Sequence, residues 1–250
     1  MKNIKTIFTD FFSKRPGQLA TILDAVDEGR PTFVTFLNPY TILKMRSYAE
    51  LYDQFDYICS DAIVPVLLER MMGFKTQRLS FDLGSVAQPL FEFASEEGKT
   101  VYLCGSSEES LRDAVGQLRR LFPRLQIVGF HHGYFEDDGA ELLGQIKELQ
   151  PDIVILGLGV PKQDIVAVHL KDEGVSCVVF TCGGFIHQTA MSETGFYYPE
   201  WINRLNLRAF YRIAHERYIL KRVMLYYIPF VILYSFFLLW MRVRPGLFRR

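Results

Sequence analysis

Residues able to do chemistry gather just after the apolar runs of this chain. In Asp152-Ile153-Val154-Ile155-Leu156-Gly157-Leu158-Gly159-Val160-Pro161-Lys162-Gln163-Asp164, the apolar run enters through Pro151-Asp152 and leaves through two glycines. That pattern reads as a strand buried on both faces, with Pro161 suited to the first turn of a following helix. In an open α/β sheet, ligands collect beyond the carboxyl ends of the strands. Small residues there admit a backbone, and helix N-termini offer unpaired N–H groups to anions. Gly159, Lys162 and Gln163 stand at such a junction. The third glycine of a dinucleotide fingerprint is missing, so the turn fits a phosphate site or an ordinary strand end.

An amide and an acid follow the same rule. Asn38 ends the run Thr32–Leu37, which also carries Thr35, and it caps a strand-to-helix turn before Pro39. Asp61 follows Phe55–Cys59, where it fits either helix N-capping, which Ser60 could also supply, or a role in catalysis. Arg78 lies in a loop, where one arginine is ordinarily solvated. His187 comes after the Gly183-Gly184 turn. His131 and His132, with Asp137 and Asp138 near them, invite a metal reading. Adjacent histidines point apart on a strand, however, and no metal ligands are assigned.

The elements that must position these residues alternate. Strand-like runs at 32–37, 55–59, 100–104, 125–130, 152–157 and 176–181 are separated by helical patterns. One of these runs on from Asn38 through about Tyr52, another from Ala62 to Met72, and one opened by Ser80 or Asp82 reaches about Glu97. Further helices are expected after Glu109, Glu136 and Pro161. Such alternation predicts an α/β fold, a Rossmann-like parallel sheet covered by helices with right-handed crossovers. Residues 1–31 read as a peripheral lead-in with a helix near 19–26. Nothing repeats closely enough for a solenoid, and no low-complexity linker divides the body.

At 250 residues, 49% of them hydrophobic, the chain is folded and able to bury a large core. Its zero formal charge hides an asymmetry. Residues 201–250 hold ten Lys/Arg against the single acid Glu216, which leaves 18 basic and 27 acidic residues in 1–200. Cys59, Cys104, Cys177 and Cys182 have no CxxC spacing, so buried reduced thiols in a reducing compartment are expected. The N-terminus has no apolar core of signal-peptide length, and the body is expected on the cytoplasmic side.

The tail changes character. Arg204, Arg208 and Arg212 recur every fourth residue and make one stripe of a basic amphipathic helix. Val223–Met241 then runs nineteen residues without a charge, flanked by Lys221 and Arg222 on one side and by Arg242, Arg244, Arg249 and Arg250 on the other. As a helix it reaches about 28 Å, close to the hydrocarbon thickness of a bilayer. Pro229 can kink it, so a span and a shallow insertion both remain open. The expected division is a body at 1–195, a basic helical appendage at 196–222 and an apolar membrane-associating segment at 223–250.

Taken in order, Asn38, Asp61, Arg78, Gly133-Tyr134-Phe135 and Gly157-x-Gly159-x-Pro161-Lys162-Gln163 make the chain resemble the WecG/TagA/CpsF family of bacterial glycosyltransferases, from about residue 32 to 222. The Gly-x-Gly-x-Pro-Lys-Gln-acid motif is the most specific piece, with Asp164 where the family usually has Glu. Pro199-x-Trp201 and Tyr211-Arg212 resemble the family's C-terminal appendage. Other departures are Phe36 two before Asn38, with Thr35 one further back, where the family commonly has Thr-x-Asn; Ala62 after Asp61, where Gly is usual; and His187 where an aspartate is frequent.

The resemblance implies inverting transfer of a sugar from a UDP-sugar to a polyprenyl-diphosphate-linked saccharide, at the cytoplasmic membrane face, in cell-surface polysaccharide or teichoic-acid assembly. Asp61 would be the general base. Arg78, Arg208 and Arg212 would offset charge on the departing nucleoside diphosphate in place of a metal, and no cofactor is implied. Thr35, Asn38, Gly159, Lys162, Gln163 and His187 complete the expected substrate contacts. Membrane lipid is the expected partner of the tail, nucleic acid is not expected, and a homo-oligomer is admitted. Two alternatives stand beside this reading: an NAD(P)-dependent oxidoreductase built on the Gly157-x-Gly159 turn, and a non-catalytic membrane scaffold that binds a nucleotide sugar.

Overall fold

The six apolar runs become the strands of one parallel sheet in the computed structural model, which describes residues 2–16, 18–135, 139–192, 221 and 223–243. The strands are β1 (Thr32–Leu37), β2 (Tyr57–Ser60), β3 (Thr100–Gly105), β4 (Gln126–His131), β5 (Ile153–Gly157) and β6 (Val178–Thr181), in the order β2-β1-β6-β5-β3-β4. Every pairing is parallel. β1 and β6 are buried along their whole length, as is β5 up to its last glycine. Continuous apolar runs rather than alternating ones are what a sheet covered on both faces requires.

Two layers of helix do the covering. On one face lie α1 (Lys2–Ser13), α3 (Pro39–Lys44), α7 (Ala140–Leu149) and α8 (Lys162–Asp172), joined by α10 (Ile228–Val243). The other face carries α2 (Leu19–Asp27), α5 (Ala87–Glu96), α6 (Glu108–Leu121) and α9 (Phe185–Ala190). α4 (Ile63–Met71) follows β2 and contributes Leu68 to the first layer. The chain therefore leaves β1 and β5 toward one face and β6 and β3 toward the other. Neighbouring strands whose chains part in this way open a crevice above their carboxyl ends.

Two details set the floor of that crevice. Asp152 Oδ2 accepts hydrogen bonds from the Thr100 backbone N–H and hydroxyl, both at 2.7 Å, pinning the start of β5 against β3. At the far end Gly105 pairs with Gly157. Gly105 has φ +149°, and a Cβ on it would sit 2.4 Å from the Gly157 carbonyl oxygen. The strand ends close only because Gly105 lacks a side chain.

The structure departs from the sequence expectations at three helices. The helix after Asn38 stops at Lys44 and tightens into a 3-10 segment, Met45–Gln54, kinked at Tyr48, which turns Met45, Ala49 and Tyr52 inward. The helix expected from Ser80 or Asp82 starts only at Ala87. Residues 80–86 make turns instead, with the Gly84 N–H donating to Asp82 Oδ1 and the Ala87 N–H to the Asp82 carbonyl. The lead-in is not peripheral, because α1 buries Ile7, Phe8 and Phe11. Together with Ile4 these residues follow the i, i+3, i+4, i+7 pattern of an amphipathic helix.

α1 packs chiefly on the Met45–Gln54 segment and β2, and part of its apolar face is covered from the other end of the chain. Phe8 packs against Phe230, Tyr234 and Phe237 of α10 with ring centroids 5.7, 5.0 and 5.5 Å apart. Val223–Val243, a π-helical turn (Val223–Tyr227) followed by α10, is long and apolar enough to cross a membrane. The four cysteines are buried free thiols, as expected.

Candidate active site

A cleft of about 750 Å³ opens above the carboxyl ends of β1, β6 and β5. Asp61, Asn38 and Arg78 stand on one side of it, with Gly159, Gln163 and His187 on the other. All six come from the residues the sequence singled out.

The alternative use of Asp61 as a helix cap is not taken. Ala62 is the N-cap of α4 and receives no side-chain hydrogen bond, while the Ser60 hydroxyl donates to the Ala62 carbonyl. Asp61 turns its carboxylate to the cleft with 40% of its side chain exposed, as a group that must meet a substrate needs to be.

Asn38 does two jobs. Its Oδ1 accepts the Thr41 N–H at 3.1 Å and its own N–H donates to Thr41 Oγ1 at 2.8 Å, a reciprocal box that opens α3. With Oδ1 so engaged, Nδ2 points the other way and donates to Asp61 Oδ2 at 3.3 Å. Arg78 grips the same residue from behind. Its Nε donates to the Asp61 carbonyl at 2.9 Å and its Nη2 lies 3.8 Å from Asp61 Oδ1. Nη2 also donates to Ser80 Oγ at 2.6 Å and sits 3.6 Å from Asp82, whose carboxylate accepts from the same serine. The loop arginine is therefore mostly buried and engaged, and it fixes the backbone and carboxylate of Asp61 together.

The opposite wall is built from small residues. Gly157 has no room for a side chain, since a Cβ would lie 2.9 Å from Ile186 and 3.1 Å from the Cys182 sulfur. Gln163 Oε1 accepts the Gly183 N–H at 3.1 Å, tying the start of α8 to the turn after β6. His187 Nδ1 approaches Ser110 Oγ at 3.5 Å.

Thr35 and Lys162 lie elsewhere. Thr35 is fully buried beneath the floor, donating to Asp164 Oδ1 at 2.9 Å and lying 2.9 Å from Thr181 Oγ1. With its one proton on Asp164, Thr35 accepts from Thr181. Burial pushes the Asp164 carboxyl up to about 7, although the Thr35 hydrogen bond works against it. Lys162 turns away from the cleft, donating to the carbonyls of Gly133 at 3.0 Å and Phe135 at 2.8 Å with its ammonium 3.5 Å above the Phe135 ring. It braces that turn.

His131 and His132 are also structural. His131 Nδ1 lies 2.7 Å from the His132 carbonyl and its ring packs edge-on to Phe135. Among the described residues no group of three or more His, Cys, Asp or Glu is placed to hold a metal. Arg208 and Arg212, with the whole 196–220 part of the appendage and Asp137 and Asp138, fall outside the described residues.

The cleft also has linings that the sequence did not single out, among them Tyr40, Lys44, Asp82 and Tyr227. Lys44 Nζ reaches to 3.5 Å from the Val160 carbonyl across the mouth, and Tyr40 packs on Tyr226 at 4.9 Å. The first two sit on the helix that Asn38 opens, which was a usable signal. Tyr227 had none, because its approach depends on how the tail folds back.

Comparison with known proteins identifies the family. The family model described as "Glycosyl transferase WecG/TagA/CpsF family" matches residues 9–244. The chain is 37% identical over 203 residues to a UDP-Gal:alpha-D-GlcNAc-diphosphoundecaprenol beta-1,4-galactosyltransferase of Shigella boydii, covering 80% of this chain and 84% of the relative. It is 24% identical over 204 residues to an N-acetylglucosaminyldiphosphoundecaprenol N-acetyl-beta-D-mannosaminyltransferase of Bacillus subtilis (strain 168), covering 80% and 77%.

Proposed function

The chain belongs to the WecG/TagA/CpsF family of glycosyl transferases, and from that premise we propose that it moves galactose from UDP-galactose to an N-acetylglucosaminyl-diphosphoundecaprenol acceptor. It is a glycosyltransferase of cell-surface polysaccharide assembly acting on lipid-linked intermediates at a membrane. Galactose is favoured as the donor sugar because the galactosyltransferase relative shares more of the sequence than the N-acetylmannosaminyl enzymes do. The oxidoreductase alternative is not favoured.

The observation that carries the mechanism is Asp61, exposed to the cleft and held by Asn38 and Arg78. As general base it takes the proton from an acceptor hydroxyl while that oxygen bonds to the anomeric carbon of the donor. The anomeric carbon–oxygen bond to the diphosphate breaks on the opposite face, and its electron pair leaves with UDP. The anomeric configuration inverts, so an α-linked donor gives a β linkage. Arg78, Arg208 and Arg212 are proposed to offset charge on the departing diphosphate, where a positive group strengthens as charge develops. Gly159, Gln163 and His187 form the donor side, with Thr35 and Lys162 supporting it from behind.

In this proposal the body at 1–195 carries the chemistry, 196–222 supplies the two tail arginines, and 223–250 meets lipid at the cytoplasmic face. Incubating the full chain with UDP-galactose or UDP-N-acetylmannosamine and a short polyprenyl-diphosphate N-acetylglucosamine, with product mass as the readout, tests it. A hexose added only from UDP-galactose is expected. Donor binding without product under any pairing would mark a scaffold instead.

A further inference from the structure

Helix α10 is apolar on both of its faces, and among the described residues only one face has a partner. Phe230, Tyr234, Phe237 and Met241, spaced four, three and four apart, face inward and are nearly or fully buried. Ile228, Ile232, Phe236, Leu239 and Val243, with the same kind of spacing, point the opposite way and are 47–81% exposed. A stripe of this kind, about 22 Å long at 1.5 Å per residue, exceeds the scattered apolar residues of ordinary protein surface.

The inner face is held by a buried polar contact as well as by packing. The Tyr234 hydroxyl donates to Glu69 Oε1 of α4, and Arg15 Nη2, just beyond α1, donates to the same oxygen at 2.8 Å. Glu69 is fully buried and Arg15 nearly so, with its guanidinium 3.9 Å over the Phe11 ring. Removing Tyr234 would leave a buried ion pair without one of its hydrogen bonds and would take a packed ring from Phe8 and Phe11. A helix crossing a bilayer must shed its water-soluble neighbours, and here those neighbours are α1 and α4, which carry Lys5, Asp10 and Arg70.

Two features say what covers the outer face. Lys5 Nζ sits 4.0 Å over the Trp240 ring at the far end of the helix, near Arg242, placing cations beside an aromatic as at a headgroup boundary. At the near end Tyr227 lines the cleft. Ile63 and Val64 of α4 line it too, and Leu67 and Met71 continue outward along the same side of that helix, exposed at 49% and 79%. Both apolar stripes thus begin at the mouth of the cleft.

We propose that α10 lies in the membrane plane as a monotopic anchor, clamped to the body by Tyr234, Glu69 and Arg15, with its outer face in the acyl chains of one leaflet. It does not span. The inference deepens the function proposed above, since a lipid-linked acceptor would then reach Asp61 from the leaflet that holds the enzyme.

The test adds purified full-length chain, tagged after Arg250, to sealed phosphatidylethanolamine/phosphatidylglycerol vesicles and separates bound protein by flotation. The tag is expected to remain fully digestible by external protease, and a protected tag would overturn the proposal in favour of a span. The pair Ile232→Asp with Phe236→Asp is expected to lower the floated fraction at least tenfold while turnover of a water-soluble short-chain acceptor stays within twofold. If the pair floats unchanged and instead converts a dimer to a monomer, the face belongs to a second copy and the proposal fails. Flotation uses no sugar donor, so normal flotation without any transfer would count against the proposed function alone.

Discussion

The side-chain amide of Asn38 lies 3.3 Å from the carboxylate of Asp61, and the orientation of that amide is set by the helix cap it makes at the same time. One residue at the end of β1 thereby starts α3 and aims the acid at the end of the neighbouring strand. The adjacency follows from the register, in which Leu37 pairs with Ser60. The site is thus coupled to the sheet through one side chain, and its two roles can be separated by substitution.

Asn38→Ser keeps an N-cap oxygen and removes the amide, whereas Asn38→Ala removes both. Both variants are expected to lower kcat by about tenfold to a hundredfold, the scale of a misplaced catalytic group. Only the alanine variant is expected to lose about 1 kcal/mol of stability. Steady-state kinetics beside urea unfolding separates the two, and an unchanged kcat in Asn38→Ser would show that Asp61 needs no help from the amide.

Asp61→Asn is expected to lower kcat by a factor on the order of 10² to 10⁴, with the far-ultraviolet spectrum and melting temperature unchanged. Asp61 caps nothing, and the charge it loses faces only the 3.8 Å contact with Arg78, which keeps its hydrogen bonds to the Asp61 carbonyl and to Ser80. Full turnover would end its assignment as base.

Lys162→Met tests the brace. The ammonium serves the carbonyls of Gly133 and Phe135, so the melting temperature should fall while the KM for the donor changes by less than about threefold, a difference of under 1 kcal/mol. A large rise in donor KM at an unchanged melting temperature would mean that the lysine meets the donor directly.

Asp164 makes stability depend on pH in a stated direction. Its carboxyl is pushed up to about 7 by burial from an ordinary 3.8, so between those values the folded chain holds more protons than the unfolded one. Stability contributed by the protonated group is present at pH 4 and is lost as the pH rises through 7. Asp164→Asn keeps an acceptor for Thr35 and removes the titration. Melts at pH 5, 6, 7 and 8 should show the variant gaining on the parent chain across that range, and parallel curves would refute it.

Gly105→Ala should destabilise by about 3 kcal/mol, the upper range of overpacking. The new methyl would meet the Gly157 carbonyl oxygen at 2.4 Å, and the atoms it meets are backbone, which cannot swing aside as a side chain could. Urea unfolding at fixed slope is the measure, and a loss below about 0.5 kcal/mol would show that the strand ends can part.

The sheet was legible because its strands are short apolar runs bounded by Gly, Pro, Asn and Asp, and burial on both faces writes itself directly into composition. Asp61, Asn38, Gly159, Gln163 and His187 were legible for a related reason: strand ends in a parallel sheet converge whatever the order of the strands. Arg78, in the loop after α4, was singled out by the family resemblance alone. The roles of Thr35 and Lys162 were not. Both stand beside the motif, but a threonine on a central strand can face the floor or the cleft, and a lysine at a helix start can reach forward or back. Spacing does not distinguish these.

By itself the sequence determined the α/β class, the positions of the strands and the residues that meet above them, because hydrophobic periodicity and turn chemistry are local. Tertiary structure decided what needed distant partners. It turned Asp61 away from capping and toward the cleft, because Asn38 and Arg78 hold it there. It also set α1 between the Met45–Gln54 segment and the tail, where Phe8 and Phe11 meet the ring of Tyr234, more than 220 residues further on, which itself reaches Glu69. Contacts across that separation depend on the whole chain closing, and no window of sequence contains both ends.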